Sequence, residues 1–270
     1  MSMNGTVIAL DPVLSSGDRS RTVILIILIA SVVLIAVSVN NPILAIELFK
    51  NSDISEETFN RITNLTKEND KVAFLTFDDG PTASVTPKVL DILKEEQVTA
   101  SFFVIGKNVE TCPELVKRAY DEGHFIANHG YDHNNKKMYS SEENFKNEIE
   151  KTDDAIGKAL GIDEYCSHVF RFPNGYMSSN NKYQKSNAVK WLKELNYTYI
   201  DWNCLNNDSV KKYSKSQLLN NLKRTSKNKN TLVILMHDTK FVSDSSTALK
   251  ESIEYLKSEG YIFKNFYDIL

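Results

Sequence analysis

Two carboxylates, three imidazoles and a guanidinium in this 270-residue chain each sit at or just beyond the end of a short apolar run. Val72 to Phe77 leads into Asp78-Asp79-Gly80-Pro81. Adjacent carboxylates repel each other, so the pair calls for a cation or for two different tasks. A plain turn is the competing reading, because Asp-Gly-Pro is good turn chemistry. His129 and His133 follow another apolar run, four residues apart, a spacing that places two imidazoles on one face of a helical turn within reach of one metal ion. Each His alone reads equally well as a satisfied core or surface side chain. Joined by a carboxylate from another strand end, they make three protein ligands with one position left for water, the pattern of a catalytic rather than a structural zinc. A divalent metal lowers the pKa of its water from about 16 to about 7, so hydroxide becomes available near neutral pH.

Three further strand ends carry polar groups. Phe170-Arg171-Phe172-Pro173-Asn174-Gly175 reads as an exposed Arg before a turn, or as a cation holding a carboxylate beside a turn whose backbone N–H groups face the site. Asp201-Trp202-Asn203 closes another run, with Asp208 beyond it, and Leu235-Met236-His237-Asp238 closes the last. A lone His after an apolar run is usually structural. Five polar strand ends on one rim are harder to dismiss.

The elements that must position these groups follow from periodicity. Runs at 72–77, 100–105, 124–128, 168–172, 197–202 and 231–236 read as buried strands. Segments 87–97, 113–122, 141–160, 188–195, 215–227 and 246–259 carry apolar residues at helical spacing. Strand–helix alternation implies parallel strands covered by helices, as a barrel or an open doubly wound sheet. In a parallel barrel, functional groups gather at the C-terminal strand ends. No Gly-rich nucleotide loop follows the first strand, so nucleotide binding is not expected.

Upstream lies Thr22 to Val39, eighteen residues without a charge, preceded by Arg19 and Arg21. A bilayer-spanning helix needs at least about 17 such residues. Basic residues on the N-terminal side keep residues 1–21 cytoplasmic and send the chain beyond about residue 40 outward. The expected organisation is a cytoplasmic N-terminus (1–21), a transmembrane anchor in the lipid bilayer (22–39), a stalk with one short amphipathic helix (40–70) and a catalytic-sized domain (71–270). A cleaved signal peptide, with Ala36 and Ser38 before the cut, is the alternative, and would leave a secreted protein.

Composition excludes other classes. Thirty-two basic against 35 acidic residues give a net charge of −3, without the cationic excess that a nucleic-acid binder needs. With 41% hydrophobic residues the chain can bury a large core. Cys112, Cys166 and Cys204, irregularly spaced, exclude a disulfide-dense scaffold and a zinc ribbon, and read as packing residues.

Together these stretches resemble the polysaccharide deacetylase family, the carbohydrate esterases of family four. Thr76-Phe77-Asp78-Asp79-Gly80-Pro81 matches the family's first motif letter for letter. Asn128, His129 and His133 match the second, Arg171 and Pro173 the third, Trp202 and Asp208 loosely the fourth, and Leu235 and His237 the fifth. The resemblance implies an α/β fold, an irregular (β/α) barrel with fewer than eight units (a deformed TIM-like barrel), here preceded by one transmembrane helix. It further implies Asp79, His129 and His133 as ligands of a divalent metal, zinc first, with cobalt, manganese or nickel as alternatives. Asp78 would be the general base, held by Arg171; His237 would be the general acid, supported by Asp208; the backbone N–H of Asn174 would bind the oxyanion. Gly130 stands where Ser or Thr is usual, which would drop one hydrogen bond near the metal or leave it to Asp132. Asn134, Asn174, Leu205 and Ser209 are further departures, the last two in the fourth motif.

The implied activity is hydrolysis of N-acetyl groups on a cell-wall glycan outside the membrane, peptidoglycan N-acetylglucosamine first and N-acetylmuramic acid second. O-acetyl ester cleavage, chitin or exopolysaccharide deacetylation, and an inactive glycan-binding relative are the rivals. Tyr131, Tyr176 and Trp202 are candidates to stack on sugar rings, with core packing the competing role for Trp202.

Overall fold

The computed structural model describes residues 54–239 and 243–270. The apolar segment 22–39 and its flanks up to residue 53 lie outside those residues. Among the described residues, no helix is long and apolar enough to cross a membrane.

The strands are β1 (Val72–Asp78), β2 (Ser101–Val104), β3 (Phe125–Asn128), β4 (Val169–Phe170), β5 (Thr198–Tyr199), β6 (Cys204–Leu205), β7 (Thr231–His237) and β8 (Ile262–Lys264). Between and around them run helices α1 (Glu56–Asn64), α2 (Thr86–Glu95), α3 (Gly106–Thr111), α4 (Pro113–Asp121), α5 (Asn135–Met138), α6 (Glu142–Leu160), α7 (Lys182–Glu194), α8 (Lys215–Ser226) and α9 (Ser246–Ser258). Every strand pair is parallel, in the order β5-β4-β3-β2-β1-β7-β6, with β8 alongside the first half of β1. No ladder joins β5 to β6 among the described residues, so the curled sheet is a barrel left open along one seam. This is the irregular barrel of fewer than eight units that the resemblance implies.

β1 and β7 are buried at every residue, as continuous apolar runs must be when both sheet faces are covered. They pair in register from Val72 opposite Thr231 to Asp78 opposite His237. Because all strands run one way, their C-terminal ends share one rim. Val89, Leu90 and Leu93 of α2 and Ile156 and Leu160 of α6 fill the layer outside β1 and β2. Each large side chain so buried contributes about 1.5–3 kcal/mol. Ser141 accepts the Asn144 N–H to begin α6, and Gly161, at φ 69°, ends it.

The amphipathic helix expected before the main domain is α1. Its Ile62, with the following Leu65, is buried against Phe74, Phe125 and Phe266. Periodicity missed β6 and β8, two and three residues long, and α3 and α5, six and four residues long, all too short to show a period. The helix expected at 188–195 begins earlier, at Lys182, because its first turn is polar and carries no apolar signal.

Candidate active site

β1 delivers Asp78 at its last residue, and the chain then leaves the sheet sharply. Asp79 has φ 74°, a left-handed conformation that is costly for a residue with a side chain. The turn is held on both sides: Asp79 N–H donates to the Phe103 carbonyl at 3.2 Å, and Ile105 N–H donates to the Gly80 carbonyl at 3.0 Å. A Cβ on Gly80 would lie 2.0 Å from the Asp238 carboxylate, so only glycine fits there. Asp238 is itself buried, which pushes its acid up to about 7, and it accepts a hydrogen bond from Thr86 Oγ1 at 2.7 Å.

His129 follows β3 directly, and His133 lies in the loop beyond. The expected helical turn is absent; Gly130 at φ 83° and His133 at φ 55° fold an irregular loop instead. The two rings still converge, with centroids 5.3 Å apart. His129 Nδ1 meets the Arg171 carbonyl at 2.7 Å; a carbonyl only accepts, so Nδ1 carries the proton and leaves the neutral ring's Nε2 with a lone pair. His129 Nε2 and His133 Nε2 lie 3.4 and 3.5 Å from Asp79 Oδ1. That oxygen is buried and has no hydrogen-bond partner. One ligand atom from each of the three residues lies within 4.8 Å of the others. The His129 lone pair, the unpartnered Asp79 oxygen and the nearby His133 imidazole make a donor set that fits a divalent metal of the zinc type. The charges are mutually tuned. Burial raises Asp79, but the surrounding His129, His133 and His237 outweigh it and hold the carboxyl below its usual range. Burial opposes charge on His129, yet Asp78 and Asp79 raise it, whereas burial and the neighbouring His129 lower His133.

Arg171, just after β4, is fully buried. Its Nη1 donates to Thr76 Oγ1 at 2.6 Å and to Asp78 Oδ1 at 2.8 Å, and its Nε donates to the Ile200 carbonyl at 3.1 Å. The guanidinium carbon lies 4.0 Å from the Phe103 ring centroid. Asp78 is thus held by one oxygen, while its other lies 3.9 Å from His129 Nε2.

His237 closes β7 with Nδ1 2.7 Å from Asp208 Oδ1, and its backbone N–H donates to Asp208 Oδ2 at 2.8 Å. Ser245 Oγ also donates to Oδ2, and Asn206 Nδ2 donates to Ser245 Oγ at 2.9 Å. Burial disfavours the charged imidazole, but Asp208 prevails and raises it to about 9. His237 Nε2 points inward, 3.8 Å from Asp79 Oδ2.

These groups border a cavity of about 450 Å³ whose wall includes Asp78, Asp79, His129, His133, Asn174, Trp202, Ser209, Leu235 and His237. Arg171 and Asp208 stand behind it. Asn174 is exposed on the rim at φ 65°, with its Oδ1 accepting from Asn135 Nδ2 at 2.6 Å. Trp202 lines the cavity, whereas Tyr176 packs on Tyr199 at 4.7 Å and Tyr131 donates its hydroxyl to Glu110 at 2.9 Å.

Of the two alternatives at Gly130, the structure leaves the one without the hydrogen bond. A Cβ on Gly130 would lie 2.3 Å from Met138 Cε, so the Ser or Thr usual there would have to displace that methyl and take a strained φ of 83°. Asp132 does not replace its hydrogen bond; its carboxylate pairs with Lys137 at 3.1 Å and Lys107 at 3.5 Å. The buried Glu148 holds this loop instead, accepting the backbone N–H groups of Tyr131 and Asp132 at 3.0 and 3.1 Å. Its signal was present: a carboxylate on the apolar stripe of α6, between Phe145 and Thr152.

A parallel half-barrel with an Asp-His-His cluster that could hold a cation, an Arg-held carboxylate and an Asp-backed imidazole on one rim is an α/β protein with the groups that hydrolysis needs. Residues 66–200 match the polysaccharide deacetylase family, and the chain belongs to it. It is 36% identical over 193 residues to a peptidoglycan-N-acetylglucosamine deacetylase of Bacillus cereus, a match covering 70% of this chain and 64% of that relative's length. It is 32% identical over 212 residues to the peptidoglycan-N-acetylmuramic acid deacetylase PdaA of Bacillus subtilis, covering 76% and 73% of the two chains. The catalytic domain of a peptidoglycan N-acetylglucosamine deacetylase from Eubacterium rectale superposes with TM-score 0.65 at 28% identity, over 72% of this chain and 88% of that one.

Proposed function

We propose that this protein hydrolyses N-acetyl groups on an amino-sugar polymer outside the cell, peptidoglycan N-acetylglucosamine before N-acetylmuramic acid, and releases acetate. The observation that carries the reading is the convergence of Asp79, His129 and His133 with two separately supported proton-transfer groups on one cavity. Asp79, His129 and His133 would hold the divalent metal, zinc before cobalt, manganese or nickel. When bound, the metal supplies Lewis acidity, which polarises the acetyl carbonyl and acidifies a water.

The residues of the chain do the rest. Asp78 takes a proton from the attacking water as the new C–O bond forms. Arg171 aims that carboxylate, using one of its oxygens and leaving the other for the proton. The carbonyl oxygen gains charge, and the backbone N–H of Asn174 stabilises it. His237, charged through Asp208, gives its proton to the sugar nitrogen as the C–N bond breaks. Acetate leaves with the water's oxygen, and the sugar keeps a free amine. Residues 22–39 would anchor the chain in the bilayer with the domain facing the wall, a placement that membrane fractionation and protease accessibility test.

The deciding experiment incubates the protein with peptidoglycan and follows acetate and the muropeptide masses. Loss of one acetyl per N-acetylglucosamine, abolished by chelation and restored by zinc, is the expected result. Deacetylated muramic acid would shift the substrate to the second sugar. Full activity after exhaustive chelation would overturn the metal assignment, and no acetate from peptidoglycan, chitin oligomers or O-acetyl esters would leave an inactive glycan-binding relative.

A further inference from the structure

The loop after β4 is held from below by two charged residues that take no part in the chemistry above. Lys185, on α7, is only 1% exposed. Its Nζ donates to the Gly175 carbonyl at 2.7 Å, the Ser178 carbonyl at 2.8 Å and Ser178 Oγ at 2.9 Å. An ammonium has three hydrogens, and all three are used on this one loop. Asp201, just past β5, receives the next backbone groups in line: Tyr176 N–H donates to Oδ1 and Met177 N–H to Oδ2, each at 2.8 Å. The loop's carbonyls thus rest on a cation and its amides on an anion. On its third side, Gly175 at φ 80° lies so close to Trp202 that a Cβ would be 2.7 Å from the indole.

We propose that Lys185 and Asp201 are positioning residues, which clamp the loop so that the backbone of Asn174 keeps its place on the cavity wall. The inference rests on the hydrolytic reading, in which that backbone N–H meets the developing oxyanion. Packing of α7 on the sheet does not require the pair, because Ala188 and Leu192 already pack with Phe170, Phe172 and Tyr197. Burying an ammonium is costly, and burial does pull Lys185 below the ordinary lysine range against the pull of Asp201. A fold that only needed to attach α7 would use an apolar residue. Four of the five bonds go to loop backbone, and a loop anchored at four successive residues is one whose exact place matters.

The test uses the full 270-residue chain loaded with zinc, with the N-acetylglucosamine tetramer as substrate and acetate as readout. Lys185→Met removes the carbonyl clamp. Asp201→Asn is the milder variant, turning one acceptor into a donor against a backbone N–H. Misplacement by about 1 Å can cost about 100-fold in rate, so kcat should fall by about 10- to 100-fold. KM and zinc affinity should stay within about twofold, since the contact is made only in the transition state. The double variant should lose little more than the worse single one, because both act on one loop. Unchanged kcat in folded Asp201→Asn, or a loss that follows zinc affinity, would overturn the clamp alone. No acetate from the unaltered protein on any acetylated glycan would overturn the hydrolytic reading, and the clamp's catalytic purpose with it.

Discussion

Arg171 and Asp78 form a buried ion pair at 2.8 Å across the sheet, from β4 to β1, while the Arg171 carbonyl fixes the ring of His129 at 2.7 Å. One residue therefore orients the proposed base through its side chain and a proposed metal ligand through its backbone. Only the first of these links is lost when its side chain is changed.

Arg171→Met should strand the Asp78 carboxylate in the core. Removing one member of a buried pair costs about 3–5 kcal/mol, which urea unfolding of the metal-free variant will show. Zinc affinity should fall far less than in a ligand variant, since the carbonyl to His129 remains. A variant as stable as the parent would show that the pair contributes little.

Asp78→Asn keeps the shape of the residue and removes its basicity. Turnover should drop by about 10²–10⁴-fold, the span of general-base catalysis, with zinc still bound. His129→Ala and His133→Ala should lose both zinc and turnover. Zinc titration and acetate release, measured on the same samples, separate the two classes.

His237 gives a pH prediction for the metal-free chain. Asp208 raises its imidazole to about 9 from an ordinary value near 6.5. The folded state therefore binds the proton more tightly than the unfolded one. The stabilisation is fully present below about pH 6.5 and is lost as pH rises through about 9. The His237 ring resonance should titrate in that alkaline range by NMR, and in Asp208→Asn it should move down. Titration near 6.5 in the parent would remove the case for a charged acid at neutral pH.

Gly130→Ala should destabilise the loop between the two histidines. The added methyl meets Met138 Cε, and φ 83° is unfavourable for alanine. Overpacking and strain of this kind cost about 1–3 kcal/mol each. Met138→Ala opens a core cavity of its own, so the comparison is a double-mutant cycle: in that background the cost of Gly130→Ala should shrink to the backbone strain, read by thermal unfolding.

Much of this architecture is legible in one dimension. Continuous apolar runs announce β1 and β7 because parallel strands covered on both faces need no alternation. Asp78-Asp79-Gly80-Pro81, Arg171 and His237 stand out because charge at the end of such a run has no packing reason to be there. Phe59 and Ile62 declare α1 by their spacing, and Leu65 continues the stripe just past its end. Those signals are local, and local chemistry is what a sequence records without help.

What the chain order left open was settled by contacts between distant residues. The register that sets Asp78 opposite His237 spans about 160 residues of intervening chain and follows from side-chain packing along β1 and β7. The histidine loop takes left-handed backbone angles because Glu148 and Met138 confine it, so four-residue spacing misread it as a helical turn. Lys185 looks like a surface charge in sequence, and Asp201 stands out as a polar strand end without a partner to name. Only folding brings them beneath the same loop, because a buried ammonium and a carboxylate are stable there once the backbone supplies the partners that water otherwise would.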